Sequence, residues 1–397
     1  MIYIIDRFVE KHLHVLANVN FIRLLEISYP QEQKKIFLES EHLLLVRKYF
    51  SANEKNLEFV PQNFGKFAGS KLGQVYRVIN RLFSDLFFFW KLFLNADSKK
   101  DWFFIAHIYP LSLIIFNLLK LIFPKMKIVL AIHGEVEYIF NSKNLYQKFI
   151  GNLYKYSFRI PVKNTQYLFL TKVSEKIILE AGLLQKNQII SIELPTYGKN
   201  HVVEKKYQVN KSVMRVGHIG SAGVRKNTQC LFSLAEKLAS EIENNSIKVE
   251  LIGTIEDNLA SHLNTYVIDY VNSQLNVPLD RNIFDQNVQS LDYVLFFYDK
   301  DDFILRSSAA FFDAINFEIP IIALKTSFFS NIFSSYGSLG YLCDDIDEMK
   351  EKIIYLQKHQ GSRELEEIYC LFKASIKEFK QAISIENVAK DFKLQLT

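Results

Sequence analysis

Apolar positions fall in short blocks along this chain. Runs rich in apolar residues occupy 2–5, 102–108, 127–132, 167–170 and 189–192, and again 213–219, 247–252 and 292–298. Each is closed by a polar or glycine-bearing turn, the pattern of strands buried on both faces. Between them lie stretches of helical period at 15–28, 75–94, 111–122, 171–182 and 228–242. Pro30 stops the first, and Ala181-Gly182 ends the fourth. Residues 258–275 read as largely helical, and three helical segments follow Tyr341. Such alternation predicts an α/β protein with mostly parallel sheets and helices on both faces. The apolar region 102–123 is broken by His107, Pro110, Asn117 and Lys120. It reads as a strand and a buried helix rather than a membrane span.

The alternation comes twice. Residues 1–197 form one series and 213–375 another. The intervening 198–212, GKNHVVEKKYQVNKS, has no apolar period and reads as a linker. With 397 residues, 49% of them hydrophobic, two domains with real cores are expected. The net charge of +5, from 48 basic and 43 acidic residues, does not point to nucleic acid. Cys230, Cys343 and Cys370 lie far apart without metal or disulfide spacing, which fits a reducing, cytoplasmic compartment. The opening MIYIID lacks the basic and long apolar regions of a signal peptide. The 34 Phe and 20 Tyr, many near Lys or Arg, suit contact with lipid. They are densest over 75–94, with Lys66, Lys71, Arg77, Arg81 and Lys91 around them. That helix reads either as an interfacial membrane element or as a helix packed on the sheet.

Candidate chemistry collects where strands end. In the second series, GHIGSAGVRKN places Gly217, Gly220 and Gly223 around a strand-to-helix turn, with Ser221, Arg225 and Lys226. Glycines admit a phosphate close to the backbone, a helix N-terminus offers N–H donors, and a cation supplies countercharge. The spacing is neither G-x-G-x-x-G nor G-x-x-x-x-G-K-[ST]. A glycine turn with a solvated basic pair reads the same way. Residues 292–326 form a strand, loop, helix and strand, with Arg306, Ser307 and Ser308 at the helix start as a second anion-binding candidate. Together the two loops would hold a diphosphate. In the first series Glu10, His12 and His14 follow the first strand, and His133 and Glu135 follow the strand at 127–132, the edge where α/β proteins present polar groups to a substrate. No metal motif is evident, and no cofactor is expected.

These residues resemble the donor-binding half of GT-B glycosyltransferases, most closely the retaining bacterial polysaccharide-type enzymes. GHIGSAGVRKN resembles the segment whose basic residue binds a nucleotide-sugar diphosphate, with Lys226 matching that residue. LRSSAAFFDAINFEIPIIAL resembles the E-x7-E region, with Asp313 at the second acid and Glu318-Ile319-Pro320 at the Gly-x-Pro turn. AIHGE resembles the loop whose histidine contacts the donor sugar. Leu305 stands where the first acid belongs. The resemblance implies two Rossmann-like domains facing across a cleft, with a C-terminal helix, 376–397, returning to the first. It implies transfer of a sugar from a nucleotide sugar to a saccharide or lipid-linked acceptor in surface polysaccharide synthesis. The membrane contact would run through residues 64–94, at the inner face of the cytoplasmic membrane. A noncatalytic GT-B-like scaffold and a nucleotide-sugar epimerase are the alternatives.

Overall fold

The computed structural model describes residues 1–10, 14–51, 54–63, 71–195, 213–300 and 302–396. His12, Lys66 and the expected linker 198–212 lie outside them, as do the side chains of Lys71 and Arg77. The chain divides into two compact units. One comprises Met1–Tyr197, Leu305–Ser307 and Ile383–Thr397, and the other Gly198–Ile304 and Ser308–Ala382.

The first unit is built on β1 (Ile2–Asp6), β2 (Lys34–Glu39), β3 (Leu57–Gln62), β4 (Trp102–His107), β5 (Lys127–Ile132), β6 (Thr165–Phe169) and β7 (Ile189–Ser191). All are paired in parallel, in the order β3-β2-β1-β4-β5-β6-β7. Its helices are α1 (Val15–Ser28), α2 (Ser40–Arg47), α3 (Lys71–Asn95), α4 (Pro110–Ile122), α5 (Leu145–Arg159) and α6 (Val173–Glu180). Neighbouring strand residues point to opposite faces, and β4 shows it. Phe103 meets Phe93 of α3, while Phe104 meets Phe21 of α1. Helix α3 therefore packs on the sheet through Phe89 and Phe93, each 1% exposed. Phe88 also meets Phe37 of β2, while Phe83 and Phe87 are exposed.

The second unit carries β8 (Met214–Ile219), β9 (Ile247–Ile252), β10 (Val267–Asp269), β11 (Tyr293–Phe296), β12 (Ile321–Leu324) and β13 (Gly340–Cys343). These too are parallel, in the order β10-β9-β8-β11-β12-β13. Its helices are α7 (Gln229–Lys237), α8 (Ala239–Glu243), α9 (Arg281–Ser290), α10 (Ala309–Asn316), α11 (Ser327–Tyr336), α12 (Ile346–Lys358) and α13 (Arg363–Ala382). Val216, Val249, Leu295 and Ile322 of the strands form a core with Leu231, Leu234 and Ile353 of the helices. The last helix, α14 (Ile385–Gln395), belongs to the first unit and lies on α1. Phe392 packs on Phe104 there, and the Ser28 hydroxyl donates to the Ala389 carbonyl.

Two stretches differ from their sequence reading. The helix expected over 376–397 is the end of α13 and, after a break, α14, and the return to the first unit starts at Ile383. Residues 258–275 are a 3₁₀ turn, Asp257–His262, followed by strand β10. The β-branched pair Val267-Ile268 joins the open edge of β9, with Val267 opposite Val249, and that pairing outweighs the helical spacing of Leu259 and Leu263.

Candidate functional site

Each sheet has one place where strand order reverses, leaving a crevice beyond the strand ends. In the first unit this lies between β1 and β4, and in the second between β8 and β11. Several of the described sequence candidates lie at these places.

In the second unit β8 ends at Ile219, and Gly220 turns with φ 85. The loop stays zipped to its neighbour beyond the strand: Gly220 N–H donates to Ile252 O, Ala222 N–H to Thr254 O, and Glu256 N–H to Ala222 O. This is possible because residue 253 is glycine. Its φ is 154, and a Cβ there would sit 1.9 Å from the Gly220 carbonyl oxygen. The Ser221 hydroxyl donates to Glu256 at 2.7 Å, and the Lys226 ammonium donates to the Ser221 carbonyl at 2.8 Å. Arg225 is exposed.

Helix α10 begins across the same crevice. A Cβ on Gly220 would lie 3.3 Å from the Ala310 Cβ, so the glycine loop rests on the first turn of α10. Ser308 caps that turn by accepting from Phe311 N–H, and its hydroxyl pairs with the Tyr298 phenol at 2.5 Å. Asp313 lies one turn further along and meets Arg281 of α9 at 3.3 Å. Burial raises its carboxyl above the usual carboxylate range, against the pull of Arg281 and Lys226. Beneath the loop, His218 is fully buried, and burial together with the Lys226 charge presses it down to about 3. Thus Gly220, Ser221, Lys226, Ser308 and Asp313 come together in one unit around the first turn of α10 and one ammonium, with Glu256 as the opposing carboxylate.

Arg306 and Ser307 are placed differently. They group with the first unit, where the Arg306 guanidinium lies 3.5 Å from the buried Glu137 carboxylate. Leu305 N–H donates to the same carboxylate at 3.4 Å. The Ser307 hydroxyl donates to the Leu170 carbonyl. Arg306 also crosses Gly134, where a Cβ would lie 3.1 Å from its Cδ. The arginine is therefore brought to the loop of His133 and Glu135.

The crevice of the first unit is lined with imidazoles. His107, at the end of β4, stacks on His133 with ring centroids 3.9 Å apart, and His14 meets both rings edge-on. His133 donates through Nε2 to the Ala106 carbonyl at 2.6 Å, so Nδ1 is the nitrogen left to accept from a ligand. Burial and the neighbouring rings hold His14 below its ordinary value and His107 well below it. The Nδ1 of His107 is buried without a hydrogen-bond partner, and so is one Glu135 carboxylate oxygen. Among the described residues no cluster of His, Cys, Asp or Glu is arranged to hold a metal ion.

The loop after β1 is fixed from below. Asp6 accepts from the N–H groups of Phe8 and Val9 and from the Asn18 amide, which also meets His42 at 2.8 Å. Arg7 is buried in a 2.6 Å pair with Asp85 of α3, and Ser112 of α4 donates to the other oxygen of Asp85. Glu10 lies where its charge reaches Arg81. His107 and this Arg7–Asp85 pair escaped the sequence reading. The signal for His107 was its place as the last residue of a strand beside the crevice.

Solved structures share this architecture. Trehalose-6-phosphate synthase OtsA superposes with a TM-score of 0.64 at 12% identity, covering 100% of this chain and 98% of that one. A glycosyltransferase from Rickettsia africae gives 0.62 at 11% identity, again over 100% and 98%. TarM of S. aureus, in complex with fondaparinux, alpha-GlcNAc-glycerol and UDP, gives 0.55 at 16% identity. That match covers 80% of this chain, which spans 59% of TarM. The fold is GT-B. No family model and no curated relative matches the sequence. Within the GT-B fold, the glycine loop and the α10 turn belong to the C-terminal Rossmann-like domain, and the histidine cluster to the N-terminal one.

Proposed function

We propose that the chain is a glycosyltransferase that moves a sugar from a nucleotide-sugar donor to a saccharide or lipid-linked acceptor. The observation that carries this reading is the glycine loop of Gly220 to Lys226 resting on the first turn of α10. It offers a helix N-terminus approached closely by the chain at Gly220, and an ammonium, in one crevice, and these favour a diphosphate. In this reading the donor binds the second unit. Lys226 and the start of α10 stabilise charge developing on the leaving diphosphate, which is electrostatic catalysis by fixed donors. Asp313 orients donor hydroxyls, and Arg281 holds its carboxylate in place. The acceptor binds the first unit near Glu10, His12 and His14. In the first unit His133 or Glu135 meets a sugar, and Arg306, beside Glu137, meets a phosphate together with Ser307. A lipid-linked acceptor would bring the chain to the inner face of the cytoplasmic membrane, with contact through residues 64–94. The solved glycosyltransferases of the same fold, TarM bound to UDP among them, support the reading.

A panel of UDP-, GDP- and dTDP-sugars tests it by thermal shift. At least one should raise the melting temperature, and Lys226→Ala should weaken that ligand by about tenfold to a hundredfold, the loss of one charge-assisted contact. A flat response to every sugar nucleotide overturns it. One observation favours the scaffold alternative: Leu305, 1% exposed, stands at the position of the family's first acid. That alternative predicts the flat response.

A further inference from the structure

Helices α3, α4 and α5 cover one face of the first sheet as a single layer. Phe89 and Phe93 of α3 pack on Phe116 of α4, and Trp90 packs on Phe123 just beyond it. The Asn117 amide of α4 donates to the Ser157 carbonyl of α5 at 2.9 Å. This layer is apolar on its outer side as well. On α3, Phe83, Phe87, Trp90 and Leu94 follow one another at helical spacing, with Phe87 68% and Leu94 60% exposed. On α4, Leu118 and Ile122 are exposed, one turn apart. On α5, Leu145, Phe149 and Tyr156 line one side, at 86%, 51% and 60% exposure. Isolated exposed hydrophobic residues are ordinary, but a patch running across three adjacent helices marks an interaction surface.

The charges on these helices identify the partner. Across α3, α4 and α5 the only carboxylate is Asp85, which is 1% exposed and paired with Arg7. The exposed ionic groups Lys91, Lys148, Lys155 and Arg159 are all cations. The opposite layer of the same sheet differs, for Glu26, Glu386 and Asp391 interrupt α1 and α14. A protein partner with a mixed surface would not select for a face stripped of exposed carboxylates. An anionic bilayer would, since it attracts cations beside apolar side chains that sit at headgroup depth. Among the described residues no helix is long and apolar enough to cross a membrane. We propose that the outer side of the α3–α4–α5 layer docks flat on an anionic lipid surface, with α5 as much a part of the contact as α3. The proposal deepens the lipid-linked acceptor reading and rests on it for its purpose, though its geometry stands alone.

Flotation of the full chain with phosphatidylcholine vesicles, and with vesicles that also contain phosphatidylglycerol, tests it. The chain should float with the anionic vesicles and much less with the neutral ones. Phe87→Glu combined with Phe149→Glu should release it. Lys148→Gln with Lys155→Gln should weaken binding about thirtyfold at low salt, from the attraction each cation loses near an anionic surface. All four side chains are exposed, so melting temperatures should hold and report that the variants fold. Absence of flotation overturns the proposal, and so does flotation indifferent to the α5 changes. If the chain instead self-associates in sedimentation velocity and the Phe changes make it monomeric without any lipid binding, the face is a contact between copies. Thermal shift with sugar nucleotides on the same variants separates the two readings. Lipid binding without nucleotide binding leaves docking intact and removes the transferase reading; the reverse removes docking alone.

Discussion

The loops after β1 and β8 stand at equivalent places in their sheets, yet they carry opposite chemistry. After β8 the chain presents backbone, with glycines at 220, 223 and 253, one ammonium at Lys226 and a capped helix end. After β1 and its neighbours it presents stacked imidazoles and a carboxylate, His14, His107, His133 and Glu135, with hardly a glycine among them. The lesson is that this architecture fixes where a ligand goes and leaves its character to the loops. One crevice suits an anion held by main-chain dipoles. The other suits hydroxyl groups met by imidazole rings and a carboxylate.

The sharpest way to break the comparison is to fill the backbone contact on one side only. Gly253→Ala sets a Cβ into the Gly220 carbonyl at a φ that side chains rarely adopt, so it should cost about 4 kcal/mol. Gly134→Ala meets only the flexible Arg306 side chain and should cost about 1 kcal/mol. Denaturant unfolding of both variants reads the difference, and equal losses would show that the two loops are not built on different principles.

Next in size is the effect of pH. Glu193, just beyond β7 in the first unit, is pushed up to about 7 by burial. The folded chain holds this proton more tightly than the unfolded one. Its stabilising effect is full below the ordinary carboxyl value and is lost as pH rises through 7. Glu193→Gln should therefore gain roughly 3 kcal/mol above pH 7 and almost nothing at pH 4. The buried histidines act in the opposite sense. His14 and His107 are held down in the first unit and His218 in the second, so the unfolded chain takes up protons below about 6.5 that the folded chain refuses. Acid melts should show stability falling from that point. His107→Gln should make the fall shallower by up to about 1.4 kcal/mol per pH unit, and an unchanged slope would take His107 out of the account.

Much of the framework was legible because parallel strands buried on both faces leave apolar runs, as at 128–132 and 293–298. Helix α5 went unread for the converse reason. Its buried Ile150, Leu153, Tyr154 and Phe158 do recur at helical spacing, but exposed Leu145, Tyr146, Phe149 and Tyr156 stand among them and blur the stripe. The glycine loop was readable from spacing, whereas Gly253 became meaningful only beside Gly220. Arg306, Ser307 and Ser308 are consecutive in sequence and fall into different units. No local pattern shows that, because the division depends on Glu137 and Leu170, residues remote along the chain. The imidazole stack likewise joins the ends of two strands and the start of α1, and spacing cannot reveal a stack.

The placement of α14 bears on the order in which the molecule is made. The first unit takes its closing helix from residues 385–395, while the second is complete at Ala382. Until those residues are added, Ser28 of α1 lacks Ala389 and Phe104 of β4 lacks Phe392. The domain that begins first is completed last. Until then it leaves the apolar side of α1 open to chaperones and to wrong partners.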